Sequence, residues 1–144
     1  MEYCSHIWSG ATLRSLSVLN RLQHRIKGLV GDALYSSLQP LSHRRNVASL
    51  SLFYRYYYGK CAKELQHLVP KQHIFRQNTR FAVSNANHSH YLLLPPTKHR
   101  FHERTFFPRT AALWNNLPAN CFPKGYNLSV FNSNVNKCLS DDIL

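Results

Sequence analysis

Apolar residues recur at helical spacing in three separate stretches of the chain. From about Ala11 to Val30, Leu16, Leu19, Leu22, Ile26, Leu29 and Val30 share one face at 100° per residue, and Gly31 supplies a stop. The spacing predicts a second helix from Ser42 to Tyr58, preceded by Pro40 and closed by Gly59. Its predicted core face is Val47, Leu50, Phe53, Tyr54 and Tyr57. Arg44 and Arg55 lie on a polar side, and Arg45, Leu52 and Tyr56 form a line away from the core. A short third helix, Cys61 to Val69, is expected to end before Pro70.

The pattern weakens from Lys71 to His99, where Asn, His, Ser and Thr dominate and Pro95-Pro96 breaks any regular element. Tyr91 to Leu94 and His102 to Phe107 are candidates for two short paired strands. Helical order returns between Pro108 and Pro118. A last helix, capped by Asn127, carries Leu128, Phe131, Val135 and Leu139 inward. The expected fold is mainly α: a small domain of about four to five helices with a short β hairpin or irregular loop region in the middle. It divides into helices over 1–70, a loop-rich 71–107 and a helical 108–144. Both tryptophans, Trp8 and Trp114, are expected to be buried.

Charge changes this picture from a packing problem to a binding one. Eighteen Lys and Arg oppose six Asp and Glu, a net charge of +12 over 144 residues. Such an excess repels itself and attracts polyanions, nucleic acid first among them. On the first helix Arg14, Arg21 and Arg25 are spaced by seven and four, a stripe about 120° from the apolar face. That stripe, with Arg44, Arg45, Arg55 and Arg109, is the candidate phosphate-binding set. Arg45, Leu52 and Tyr56 are also a candidate stacking platform for an unpaired base, or else pack under the following loop.

Other chemistries lack their residues. The acids Glu2, Asp32, Glu64, Glu103, Asp141 and Asp142 include only one adjacent pair, at the terminus, so two-metal polymerase or nuclease chemistry is not expected. Among nine histidines, His88-x-His90 and His99-x-x-His102 are close, but no cysteine pair faces them, and no metal ligand or cofactor is expected. Neither a G-x-S-x-G elbow nor a P-loop occurs, and no small-molecule substrate is implied. Cys4, Cys61, Cys121 and Cys138 are dispersed, and neither a signal segment nor a spanning stretch of about 20 apolar residues is evident. The expectation is a chain with reduced thiols, intracellular in nucleus or cytoplasm, with no membrane partner.

Several short motifs fall in a known order. Glu2-Tyr-Cys-Ser-His-Ile-Trp8 is followed by Leu19-Asn-Arg-Leu-Gln-His-Arg25 and Gly28-Leu-Val-Gly-Asp32, then Leu41-Ser-His-Arg-Arg45 and Phe53-Tyr-Arg55. Gly59-Lys-Cys61 and Glu64-Leu65 come next. Towards the C-terminus stand Thr105-Phe-Phe-Pro-Arg-Thr110, Leu113-Trp-Asn-Asn-Leu-Pro118, Phe122-Pro123 and Tyr126-Asn-Leu128. This series resembles the region beyond the polymerase palm in non-LTR (LINE-type, jockey-like) retrotransposon reverse transcriptases. The resemblance implies a parent RNA-directed DNA polymerase with an endonuclease, of which this chain is a C-terminal part without the catalytic core. It implies RNA or DNA as partner, an element transcript or target site, together with the polymerase core of an intact element. The alternatives are a structural packing module and a decayed element copy with no independent function. Met1 stands where similar sequences continue upstream, and Asn132 and Asn134 stand where they more often carry basic residues.

Overall fold

The computed structural model describes residues 3–31, 35, 38–72, 88–94 and 96–141. Residues 73–87 of the loop-rich region, together with Glu2, Asp32, Pro95 and the side chains of the Asp141–Asp142 pair, lie outside the described residues. The protein is mainly helical: α1 (Ser5–Trp8), α2 (Leu13–Val30), α3 (Leu41–Tyr57), α4 (Arg100–Glu103), α5 (Phe106–Asn115) and α6 (Leu128–Asp141). Two 3₁₀ turns, Lys63–Leu68 and Ala119–Cys121, complete the described helical structure.

The helix ends follow local chemistry. Thr12 Oγ1 accepts the Ser15 amide at 3.3 Å, so α2 begins after Thr12. Gly31 and Gly59 take positive φ, 81° and 64°, where a side chain would be strained. Asn127 Oδ1 accepts the Val130 amide at 3.1 Å and caps α6 as expected. Helix α5 starts at Phe106, two residues before Pro108. Proline then occupies the first turn, where its missing N–H costs nothing, and Phe106 and Phe107 turn inward against Phe53.

The core forms where α3, α5 and α6 meet. Leu50, Phe53, Tyr54, Ala111, Trp114, Leu117, Phe131 and Val135 are buried there, with Val47, Tyr57, Leu128 and Leu139 packed at the margin. Tyr54 stacks on Phe131 with centroids 4.1 Å apart, and Trp114 closes on Phe53 at 5.2 Å. The Tyr54 hydroxyl donates to the Gly125 carbonyl at 3.1 Å and accepts the Asn127 amide at 3.0 Å, which fixes the approach to α6. Cys121 Sγ lies 2.9 Å from Cys138 Sγ, drawing the second 3₁₀ turn onto α6.

The segment 88–94 is held by α5. Asn115 donates its side-chain amide to the Leu92 carbonyl and accepts the Leu92 amide, both at 2.9 Å, acting as a strand partner made from one side chain. Trp114 Nε1 donates to the His90 carbonyl at 2.8 Å. His88 is buried, with Nε2 on the Trp114 carbonyl at 2.9 Å and Nδ1 accepting the His90 amide at 3.1 Å. These two backbone partners require a neutral imidazole with its proton on Nε2, since a second proton would meet the His90 N–H head-on.

Three expectations need correction. His102 to Phe107 is not a strand: His102 lies in α4, and Phe106 and Phe107 open α5, because the paired phenylalanines pack as a helical first turn. Tyr91 to Leu94 instead meets the other side of the loop region, where Leu92 bridges antiparallel to Gln72 and the Leu93 amide donates to Lys71 at 2.9 Å. Trp8 is half-buried rather than enclosed, its Nε1 donating to the Tyr3 carbonyl at 2.9 Å. The apolar face expected of the first helix is only partly covered: Leu16, Leu19 and Ile26 are half-buried, while Leu29 is 86% exposed.

Two tests follow from this arrangement. Asn115→Ala orphans both buried backbone groups of Leu92 and is expected to cost about 2–4 kcal/mol, measured by urea denaturation. A loss no larger than that of a surface change would remove the clamp. Burial holds the His88 imidazole below its ordinary value of 6.5, outweighing the opposing pull of the Trp114 carbonyl, and burial lowers His90 as well. An unfolded histidine binds protons that the folded one refuses, so this stability is complete above the unfolded value and declines as pH falls through it. The urea midpoint is therefore expected to drop between about pH 7.5 and about pH 5.5, and His88→Gln to remove part of that drop. An equal drop in the variant would remove His88 as its source.

Candidate nucleic-acid interface

Helix α2 carries the exposed basic stripe. Arg14, Arg21 and Arg25 are all exposed, and helical geometry keeps them within about 20° of one line, about 10 Å and about 6 Å apart along the axis. Val18 and Leu22 lie between them, forming a shallow apolar dent with Arg21 and Arg25. Among the described residues no carboxylate pairs with any of the three guanidiniums. The stripe is thus a row of solvated positive charge.

The helix is fastened to the body by a buried side chain on its other side. Gln23 donates to the Gln39 carbonyl at 3.1 Å and accepts the Leu41 amide at 2.7 Å, covering one of the open N–H groups at the start of α3. No role for Gln23 is expected from sequence, yet at 100° per residue it falls between Leu16 and Val30 on the apolar side, a polar residue where a core contact is expected.

The remaining candidates divide. Arg55 is exposed on the last turn of α3, and Arg44 is half-buried near its start. Arg45 is only 4% exposed, with its guanidinium 5.6 Å from the centroid of the Trp8 ring and Nη2 3.4 Å from Asn20 Oδ1. Tyr56 is half-buried, its ring edge-on to Phe107 at 5.4 Å and to Phe106 at 6.3 Å. Arg45, Leu52 and Tyr56 therefore do not form one open stacking platform: α1 and the start of α5 cover that line of α3. The four-residue α1 is too short to announce itself by periodicity, and without it the line reads as solvent-facing.

Arg109 comes to the same place from α5. Its Nη2 donates to the His6 carbonyl at 3.1 Å, so α1 is held by Arg45 beneath Trp8 and by Arg109 at its last turn. Burial depresses the proton affinity of both guanidiniums, and for Arg109 the neighbouring positive charge of Arg45 adds to the effect. Both remain cations at neutral pH. Two positive charges are thus brought together inside the molecule by α3 and α5.

No protein-family model, curated protein or solved structure matches this chain. Among the described residues no three His, Cys, Asp or Glu side chains are grouped to hold a metal ion, and no helix is long and apolar enough to cross a membrane. A cleft of about 810 Å³ is walled by residues such as Leu68, Val69, Leu94, Phe106 and Phe107, and it gathers none of the candidate arginines. Asn132 accepts from Ser51 Oγ at 2.5 Å and Asn134 donates to the Asn120 carbonyl at 3.2 Å, so both α6 asparagines serve as neutral ties to neighbouring elements.

Proposed function

We propose that this chain is the C-terminal region of a LINE-type reverse transcriptase, and that it holds an RNA or DNA backbone without reading sequence. In this reading it has no catalytic centre of its own and works beside the polymerase core of its element. The observation that carries the binding half is the exposed Arg14–Arg21–Arg25 row in a chain of net charge +12. Guanidiniums in that setting replace counterions condensed on a phosphate backbone, and the released ions drive association. The ancestry rests on the ordered motif series. The most distinctive motif, Leu113 to Pro118, supplies Trp114 and Leu117 to the core and Asn115 to the Leu92 clamp.

A second reading is favoured by one observation. Leu13 and Leu29 at the two ends of α2 are 83% and 86% exposed, which suits a helix that braces against another part of a larger protein. A cooperative denaturation transition in the isolated chain counts against an obligate brace.

The binding test is a salt titration of affinity for a labelled oligonucleotide, RNA and DNA in parallel. Affinity is expected to fall about 10³-fold between roughly 50 and 200 mM salt if about six phosphates are contacted. Replacing Arg14, Arg21 and Arg25 together by Gln is expected to reduce the logarithmic slope by about three. A slope indifferent to the triple replacement removes α2 as the contact surface.

A further inference from the structure

Between α2, α3 and α5 lies a cleft of about 510 Å³ that the exposed row does not explain. Arg45 and Arg109 both line it, one from α3 and one from α5. Arg45 Nη1 and Arg109 Nε are buried and make no hydrogen bond. The Asn20 contact of Arg45, at 3.4 Å, lies beyond the usual hydrogen-bond range. Among the described residues no carboxylate pairs with either guanidinium. Glu103 faces the same cleft from its rim, but its Oε1 is engaged by the Thr97 hydroxyl at 2.6 Å.

Arg45 is buried and Arg109 half-buried, and two neighbouring cations with unused, buried N–H groups are a costly arrangement there. A buried charge without a counter-charge costs several kcal/mol, and a second of the same sign raises that cost. Holding α1 in place uses one N–H of Arg109 and the face of Arg45, which leaves the unused donors unexplained. An oxyanion between them answers both the charge and the donors. Guanidinium forks match the oxygen geometry of phosphate, and tetrahedral oxygens can serve two forks at once. The cleft is larger than a phosphate alone. Its Leu13, Leu16 and Leu113 walls suit a base or sugar face, and Asn46 and Asn116 offer paired donors and acceptors.

We propose that this cleft is a phosphate-ester site that takes one nucleotide, its phosphate between Arg45 and Arg109. The assignment deepens the proposed function and rests on it in one respect: the nucleotide is taken to belong to the strand that α2 holds. Its phosphate is either an internal diester or a terminal monoester, and the two share the chemistry recognised here. The Glu103 carboxylate at the rim disfavours charge extending out of the cleft, so a single phosphate is preferred over a polyphosphate.

The test is calorimetric titration of the full chain with uridine 5′-monophosphate and with uridine. The nucleotide is expected to bind and the nucleoside to bind at least about tenfold more weakly. Because Arg45 and Arg109 also position α1, the primary variant is Asn116→Asp, an exposed residue that adds negative charge to the cleft. It is expected to weaken the nucleotide by about tenfold with unchanged circular dichroism. Arg45→Lys keeps the charge and loses the fork, with the same expected direction. Oligonucleotides with and without a 5′-phosphate separate the sources: dependence of the Asn116→Asp effect on that phosphate identifies a monoester, and independence a diester. Equal binding of nucleotide and nucleoside, or binding of neither, overturns the site, while an intact α2-dependent salt slope would leave the proposed function standing. Nucleotide binding without any strand binding supports the cleft and removes the strand from it.

Discussion

Tyr54 stands where three helices converge, and its ring and its hydroxyl do different work. The ring fills the space between Phe131 of α6 and Trp114 of α5, contributing apolar burial and stacking at the middle of the core. The hydroxyl receives the Asn127 amide and donates to Gly125, so the chain can enter α6 in only one direction. With α6 set, Phe131 and Val135 face inward, and α5 has a surface to lie on. Trp114 and Asn115 then reach the segment 88–94 and bind it by its backbone. The described segment 88–94 is organised by side chains of α5, with an isolated bridge between Leu92 and Gln72 beside them.

Much of this was legible in the sequence, for identifiable reasons. Helices α2, α3 and α6 announce themselves through long apolar periods, and Gly31, Gly59 and Asn127 mark their ends through backbone chemistry that acts locally. What sequence could not supply was anything short or reciprocal. Helix α1 has four residues, barely one turn, too short for an apolar face to recur and reveal it. Its position decides whether the Arg45–Leu52–Tyr56 line meets solvent, so one unseen turn changed the environment of two candidate residues. Phe106 and Phe107 are an aromatic pair whose β propensity suits a strand equally well, and the Phe53 and Tyr56 rings they meet favour the helix. The pairing of Asn115 with Leu92 spans 23 residues and leaves no periodic trace.

The positive charge is distributed in two physical regimes. On α2 it is solvated, spaced along an axis and open to screening, which is the regime of long-range attraction and tolerant contact. Between α3 and α5 it is desolvated, close-set and rich in directed donors, which is the regime of short-range fit. Under the proposed function, a strand drawn in by the first would be gripped by the second. Division of labour of this kind separates how fast a complex forms from how firmly one unit of it is gripped.

The attachment of α2 through Gln23 has a consequence of its own. That carboxamide and its two backbone partners carry no formal charge, so dissolved ions have nothing there to screen. Under the proposed function, raising ionic strength would strip a polyanion from the outer side of the helix while leaving this anchorage untouched. The helix therefore behaves as a rail bolted down with neutral fasteners: what brine removes is the cargo, and the track stays where it is.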